Sequence, residues 1–152
     1  MSQNKINIRN KRAYYEFEIM EKFVAGLILT GTEIKSIRQG KASIKEAHCV
    51  FMNQELWVKN MQITEYELGT HYNHEPKRDR KLLLSKRELK RLLGKVKEKG
   101  LTITTLHLFI SERGFAKLEI ALGRGKKIHD KRQSIKEKDE KRSLERRDTY
   151  RN

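Results

Sequence analysis

Apolar side chains in this sequence come in short stretches that alternate with charged or polar ones, and that alternation limits the fold more than any other feature. Tyr15, Phe17 and Ile19 alternate with Glu16, Glu18 and Met20, while Ala116, Leu118, Ile120 and Leu122 face away from Lys117 and Glu119. A period of two is the signature of a strand with one buried and one open face. On this pattern Glu21-Lys22 predicts a tight reversal, with Val24 to Thr30 as the returning strand. Ile44 to Met52 and Glu55 to Ile63 predict two more strands, joined at Asn53-Gln54. Leu101 to Ile110 and Phe115 to Leu122 predict a hairpin around Glu112-Arg113-Gly114. The longest apolar run, Phe23 to Leu29, falls far short of the roughly 18–20 residues a membrane span needs, so none is expected.

Two helices interrupt the strands. Thr32 can cap a short one carrying Ile34 and Ile37, with Gly40 at its far end. A longer one starts at Ser85, which forms a capping box with Glu88. Leu89, Leu92, Leu93 and Val96 then recur at helical spacing, and Gly100 supplies the stop. Residues 64–80 are polar, hold the single proline, Pro76, and predict a loop. A mainly β chain with about six short antiparallel strands is stable when the sheet closes and removes its edges. We therefore expect a six-stranded antiparallel OB-like barrel with two or so flanking helices; periodicity alone leaves an open α+β sheet as the alternative.

Charge divides the chain further. The net charge of the 152 residues is +15. Residues 1–13 carry +4, residues 14–70 carry −2, residues 71–100 carry +7, residues 101–122 are neutral and residues 123–152 carry +6. Clustering of this kind favours a binding footprint for a polyanion over an even, solubilising coat. Beyond residue 122 the apolar side chains are Ile128, Ile135, Leu144 and Tyr150, and no three share a helix face. Such a segment has nothing to dock on its own core. Residues 1–122 are thus expected to form the folded domain. Residues 123–152 are expected to be a basic tail, disordered alone and folding on a partner.

Catalytic and metal chemistry find no constellation. Cys49 alternates within a strand candidate and reads as a small buried apolar residue; a lone cysteine also excludes an internal disulfide. His71 and His74 have a His-x-x-His spacing, but two ligands do not make a zinc site. The stretch from Gly123 to Lys127 lacks the four-residue spacer and the magnesium-holding hydroxyl of a phosphate loop. No enzyme, metal or cofactor is expected. Met1-Ser-Gln-Asn-Lys lacks the features of a secretory signal, so a cytoplasmic protein is expected.

Basic residues next to turns point instead to nucleic acid. Arg78, Arg80 and Lys81 lie on the loop before the Ser85 helix, where they can reach phosphates without entering the core. Asn10, Lys11 and Arg12 lead into the first strand, while Gly125, Lys126 and Lys127 leave the last one. His129, beside Asp130-Lys131-Arg132, adds a ring able to stack on a base. The tail lacks the bulky apolar anchors of a membrane-surface helix. RNA is favoured over duplex DNA because no recognition-helix motif or zinc finger is present.

Several strings resemble the SmpB family of bacterial tmRNA-binding proteins. They are Asn10-Lys-Arg-Ala13, Ala25-Gly-Leu27, Glu33-Ile-Lys-Ser-Ile-Arg38 with Gly40, Arg80-Lys-Leu-Leu-Leu84 and Gly125-Lys-Lys-Ile-His-Asp-Lys-Arg132, in order along residues 10–132. The resemblance implies an OB-like barrel that binds the tRNA-like part of tmRNA and acts in trans-translation, the rescue of stalled ribosomes. It implies that Asn10, Arg80, Lys81 and Lys117 face tmRNA, joined by Lys11, Arg12 and Arg78 from the basic clusters. It further implies that Gly125, Lys126, Lys127, His129, Asp130, Lys131 and Arg132 engage the decoding centre and small-subunit RNA in the ribosomal A site. The rest of the tail would lie in the empty message channel. Delivery would be by elongation factor Tu with GTP, acting through tmRNA, and a monomer is expected. Where some members have an acidic residue before the Ala-Gly pair this chain has Val24, so that contact is not carried over. A structural ribosomal or initiation-factor-like protein is the main alternative, and an RNA-processing nuclease a further one.

Overall fold

The computed structural model describes residues 6–69, 72–98 and 100–126. Along them run β1 (Asn7–Arg9), α1 (Lys11–Glu16), β2 (Phe17–Leu27), α2 (Gly31–Arg38), β3 (Ala42–Ser43), β4 (His48–Met52) and β5 (Glu55–Lys59). There follow β6 (Gln62–Ile63), β7 (Arg80–Leu83), α3 (Lys86–Lys95), β8 (Leu101–Ile110) and β9 (Ala116–Gly125). Strands β8, β4, β5, β7, β2 and β9 pair in that order, and β9 pairs back onto β8. The sheet is a closed antiparallel ring of six strands, the expected closure and not the open sheet that periodicity alone allowed, and it leaves few backbone edges open. Strand β1 adds to β8 beyond the reach of β4, and β3 with β6 forms a separate two-stranded ladder.

The inward residues of the ring form one core, with Phe23, Ala25, Leu56, Val58, Leu82, Leu108, Leu118 and Ile120 all buried. Helices α2 and α3 each add an apolar side chain to it, Ile37 and Leu92, both fully buried. Each such side chain contributes about 1.5–3 kcal/mol relative to exposure. In β8 the inward phase changes from Leu101 and Ile103 to Leu108, because a bulge lies between Thr105 and His107. An extra residue re-aims the side chains that follow it. Leu106, at the bulge, joins Ala13 and Ala121 in a second small cluster under α1.

Several expected boundaries move. Glu21-Lys22 is no reversal: β2 runs unbroken and pairs Glu21 with Leu122 and Lys22 with Ala121, with a bulge at Met20. Lys22 lies on the open face of the strand, while Glu21, on the opposite side, is held by Arg91 of α3 at 2.7 Å. Tyr15 belongs to a third helix, α1, where the alternation had predicted strand. The cap of α2 is Thr30, not Thr32, in a capping box with Glu33. Of Ile44–Met52 only His48–Met52 is strand, β4; the residues before it form a turn after β3, in which Ala47 N–H donates to Ile44 C=O at 3.1 Å. Glu55–Ile63 divides at Asn60, whose φ is 60°. The turn at Asn53-Gln54 is as expected, with φ of 52° and 63°, the left-handed pair a two-residue hairpin requires. Strand β9 continues to Gly125, so the boundary expected after residue 122 falls inside a strand, and residues 123–125 are paired rather than disordered. Among the described residues no helix is long and apolar enough to cross a membrane.

Candidate nucleic-acid interface

Sheet register determines which side chains share the outside of the ring. Phe109 on β8 lies opposite Lys117 on β9, Lys117 opposite Gly26 on β2, and Gly26 opposite Leu83 on β7. Their neighbours Leu108, Leu118, Ala25 and Leu82 are in the core, so this row of four points outward. Gly26 leaves the centre of the row low: a methyl group there would sit 3.7 Å from the Lys117 ammonium and 3.5 Å from Leu83 Cβ. Leu83 and Val24 are each 49% exposed beside it. A lysine on an open strip of glycine and aliphatic surface can meet a phosphate while the flanking carbons pack on sugar or base. The alternation put Lys117 on the outer face, where the structure has it, but gave no such position to Leu83. Its signal was the Leu82-Leu83-Leu84 run, in which a strand must turn the middle residue outward.

The central basic cluster behaves differently from its expectation. Arg80 is not on a loop clear of the core; it is on β7, points inward and is 0% exposed. Its guanidinium pairs with Glu33 of α2, also fully buried, and donates to Met61 C=O at 2.5 Å and Pro76 C=O at 3.1 Å. Arg78 also donates to Glu33, at 2.6 Å. Burial alone would raise the Glu33 carboxyl, but Arg78, the Thr30 N–H and Arg80 outweigh it and hold the group below the usual carboxylate range. Arg80 therefore does not face solvent in the way a direct RNA contact requires. It ties the segment before β7 to α2, because a planar fork of five donors can hold a carboxylate and several carbonyls at once. His74 reinforces the tie, with Nε2 2.8 Å from Ile63 C=O and Nδ1 2.9 Å from the Thr32 hydroxyl.

The remaining expected contacts are distributed over the surface. Lys81 points outward on β7, but its ammonium is paired with Glu55. Asn10 is only 5% exposed and donates from Nδ2 to Thr105 C=O at 3.1 Å, which pins the arm to β8. Lys11 and Arg12 are exposed at the start of α1, not on a strand, and Arg12 pairs with Glu16 at 2.6 Å and Glu46 at 3.4 Å. At the other end of α1, Lys126 N–H donates to Glu16 C=O at 2.9 Å and its ammonium to Tyr14 C=O at 3.2 Å. Lys126 thus lies against α1, directly after Gly125, the last residue of β9. Lys127, His129, Asp130, Lys131 and Arg132 lie outside the described residues, as does His71. Helix α3 turns Lys86, Arg87, Lys90 and Arg91 to solvent. Cys49 is buried, and burial pushes its thiol pKa up, away from the reactive thiolate. Among the described residues no three His, Cys, Asp or Glu side chains come together as a metal site would need.

A closed β-ring with a low lysine–leucine strip outside and a cationic helix, in a chain whose sequence after the ring is strongly basic, defines a small polyanion-docking protein. The comparisons make this specific: the model of the SmpB protein family matches residues 7–150, and the chain belongs to that family. It is 59% identical to the SsrA-binding protein of Cytophaga hutchinsonii over 141 residues, covering 93% of this chain and 92% of that one. The SsrA-binding protein of Bacteroides thetaiotaomicron is 53% identical over 146 residues, covering 96% and 97%. Among solved structures, a chain described as "tmRNA-SmpB: a journey to the center of the bacterial ribosome" is 44% identical. It aligns with a TM-score of 0.69 and covers 86% of this chain and 94% of that one.

Proposed function

We infer that this chain binds the tRNA-like part of tmRNA and carries it to stalled ribosomes for trans-translation. The observation that carries this is family membership across residues 7–150, in a chain whose outer strip carries Lys117 beside Gly26, with Leu83 on the far side of the glycine. The strip, with Lys81 on the same face of β7 and with Lys11 and Arg12 on α1, is the tmRNA face. Asn10, Arg78 and Arg80 serve that face indirectly, by fixing the arm to β8 and the segment before β7 to α2. Gly125 and Lys126 begin the path by which the tail, through Lys127, His129, Asp130, Lys131 and Arg132, reaches the decoding centre and small-subunit RNA. Farther along, the tail occupies the message channel. The protein works as a non-enzymatic monomer in the cytoplasm and reaches the A site with elongation factor Tu and GTP, which act through tmRNA.

Truncation tests the division of labour. The cut belongs after Lys126, because Gly123–Gly125 are paired in β9 and Lys126 is bonded to α1. The shortened protein is expected to bind tmRNA nearly as tightly as the full chain and to support no tagging of stalled peptides. Tagging by the truncated protein would sink the assignment of the tail. Failure of the full chain to enrich tmRNA from its native cells would sink the whole reading.

A further inference from the structure

The outer strip does not end at Lys117. On the next strand Phe109 and His107 both point outward, and their rings are stacked, with centroids 4.8 Å apart and planes at 29°. Phe109 is half-buried, yet it is absent from both apolar clusters and from the side chains packed on them. A phenylalanine is ordinarily kept for core packing, where it buries much apolar area. Here its ring contact is with a histidine on the open face of the sheet. Nδ1 of His107 lies 3.2 Å from Glu119 Oε1, so the imidazole is held from the side. Register places Arg9 of β1 opposite His107, and Lys117 opposite Phe109. A preassembled pair of rings is thus flanked by one cation on each side.

We propose that His107 and Phe109 form a stacking ledge for an unpaired base of tmRNA, next to the lysine strip and continuous with it. The proposal rests on the reading that tmRNA is the partner and extends it from phosphate contacts to a base. Aromatic rings take bases by their π-faces and need no particular sequence. Arg9 and Lys117 are placed for the phosphates on either side of the stacked nucleotide. The Glu119 carboxylate is the one acidic group in this row, and its contact with His107 turns its charge toward the imidazole. A patch of this chemistry suits single-stranded or loop RNA better than a duplex, whose bases are already stacked.

Stacking and counterion release leave different signatures, which makes the ledge separable from the strip. Phe109→Leu keeps apolar bulk and removes the ring; Phe109→Tyr keeps the ring. The leucine variant is expected to bind tmRNA about 5- to 150-fold more weakly, the range for loss of one base stack. The dependence of its affinity on salt should match that of the unmodified protein, and the tyrosine variant should bind normally. Ultraviolet crosslinking of the unmodified complex should attach a nucleotide within Leu101–Ile110, a readout that does not depend on any variant folding. Normal binding by the leucine variant, or crosslinks confined to other segments, would overturn the ledge alone. Failure of the unmodified protein to bind tmRNA would overturn the reading beneath it, and the ledge with it.

Discussion

Arg80 and Lys117 carry the same charge on strands of the same ring, two strand positions apart in the β7–β2–β9 run, yet they do opposite things. Arg80 points into the protein and is matched there by Glu33. Lys117 points outward over a glycine. The +7 of the segment from 71 to 100 therefore overstates what that segment offers a polyanion, since part of it is spent internally. The neutral segment from 101 to 122 understates its contribution, because Lys117 stands on an open strip while Glu119 is engaged by His107. Segment charge locates where cations are made; strand parity decides which of them are available.

The comparison breaks most visibly at Glu33. Glu33→Gln keeps the shape of the side chain and can still close the capping box with Thr30, but it leaves the Arg80 guanidinium buried without its counter-charge. Removing one partner of a buried pair costs about 3–5 kcal/mol, and chemical denaturation should show a loss of that order. The acid behaviour has a definite sign. A carboxyl held below its ordinary value contributes stability that is fully present above the unfolded value, about 4.3, and is lost as pH falls through the lower folded value. The gap between the native protein and Glu33→Gln should therefore be constant above about pH 5 and narrow below the unfolded value. A variant as stable as the native protein at neutral pH would show that Arg80 is compensated by other groups.

Lys117→Ala should do the reverse, leaving stability within about 0.5 kcal/mol, as expected for a half-buried, outward-facing side chain away from caps and core. Its effect belongs to binding. Loss of one phosphate contact should flatten the plot of log affinity against log salt by about 0.7–0.9. An unchanged slope would place Lys117 off the interface and leave the outer strip without its cation.

This contrast also marks what was legible in the sequence. Alternation along Ala116–Leu122 placed Lys117 outside because parity within a continuous strand is local information. The capping box at Ser85–Glu88 was legible for the same reason. Arg80 was misread because its orientation depends on where β7 begins, and residues 64–80 read as an uninterrupted polar loop. A buried arginine becomes possible only once Glu33, forty-seven positions earlier, is brought against it. That is a tertiary fact with no periodic trace. Helix α1 was missed because Tyr15 shares the alternation of the strand that follows, and six residues are too few to show a helical period. The bulge at Leu106 escaped because one inserted residue reverses the parity of the side chains beyond it. The same bulge turns His107 and Phe109 outward.

Lys81 supplies the smallest and most discriminating test, because it combines features of both regions. Like Lys117 it points out of the ring; like Arg80 it has a carboxylate partner, Glu55 on the neighbouring strand β5. Both members are partly exposed, and such pairs contribute about 0–1 kcal/mol, so Glu55→Gln should barely change the melting curve. It should, however, release the Lys81 ammonium two residues from Leu83 on the same face of β7. If the tmRNA face extends over β7, the variant binds tmRNA slightly more tightly and with a steeper salt dependence than the native protein. If the face ends at Leu83, Glu55→Gln and the native protein give superimposable salt plots. In the first case charge on the strip is limited by how well each lysine is neutralised at home, and in the second by distance from the RNA.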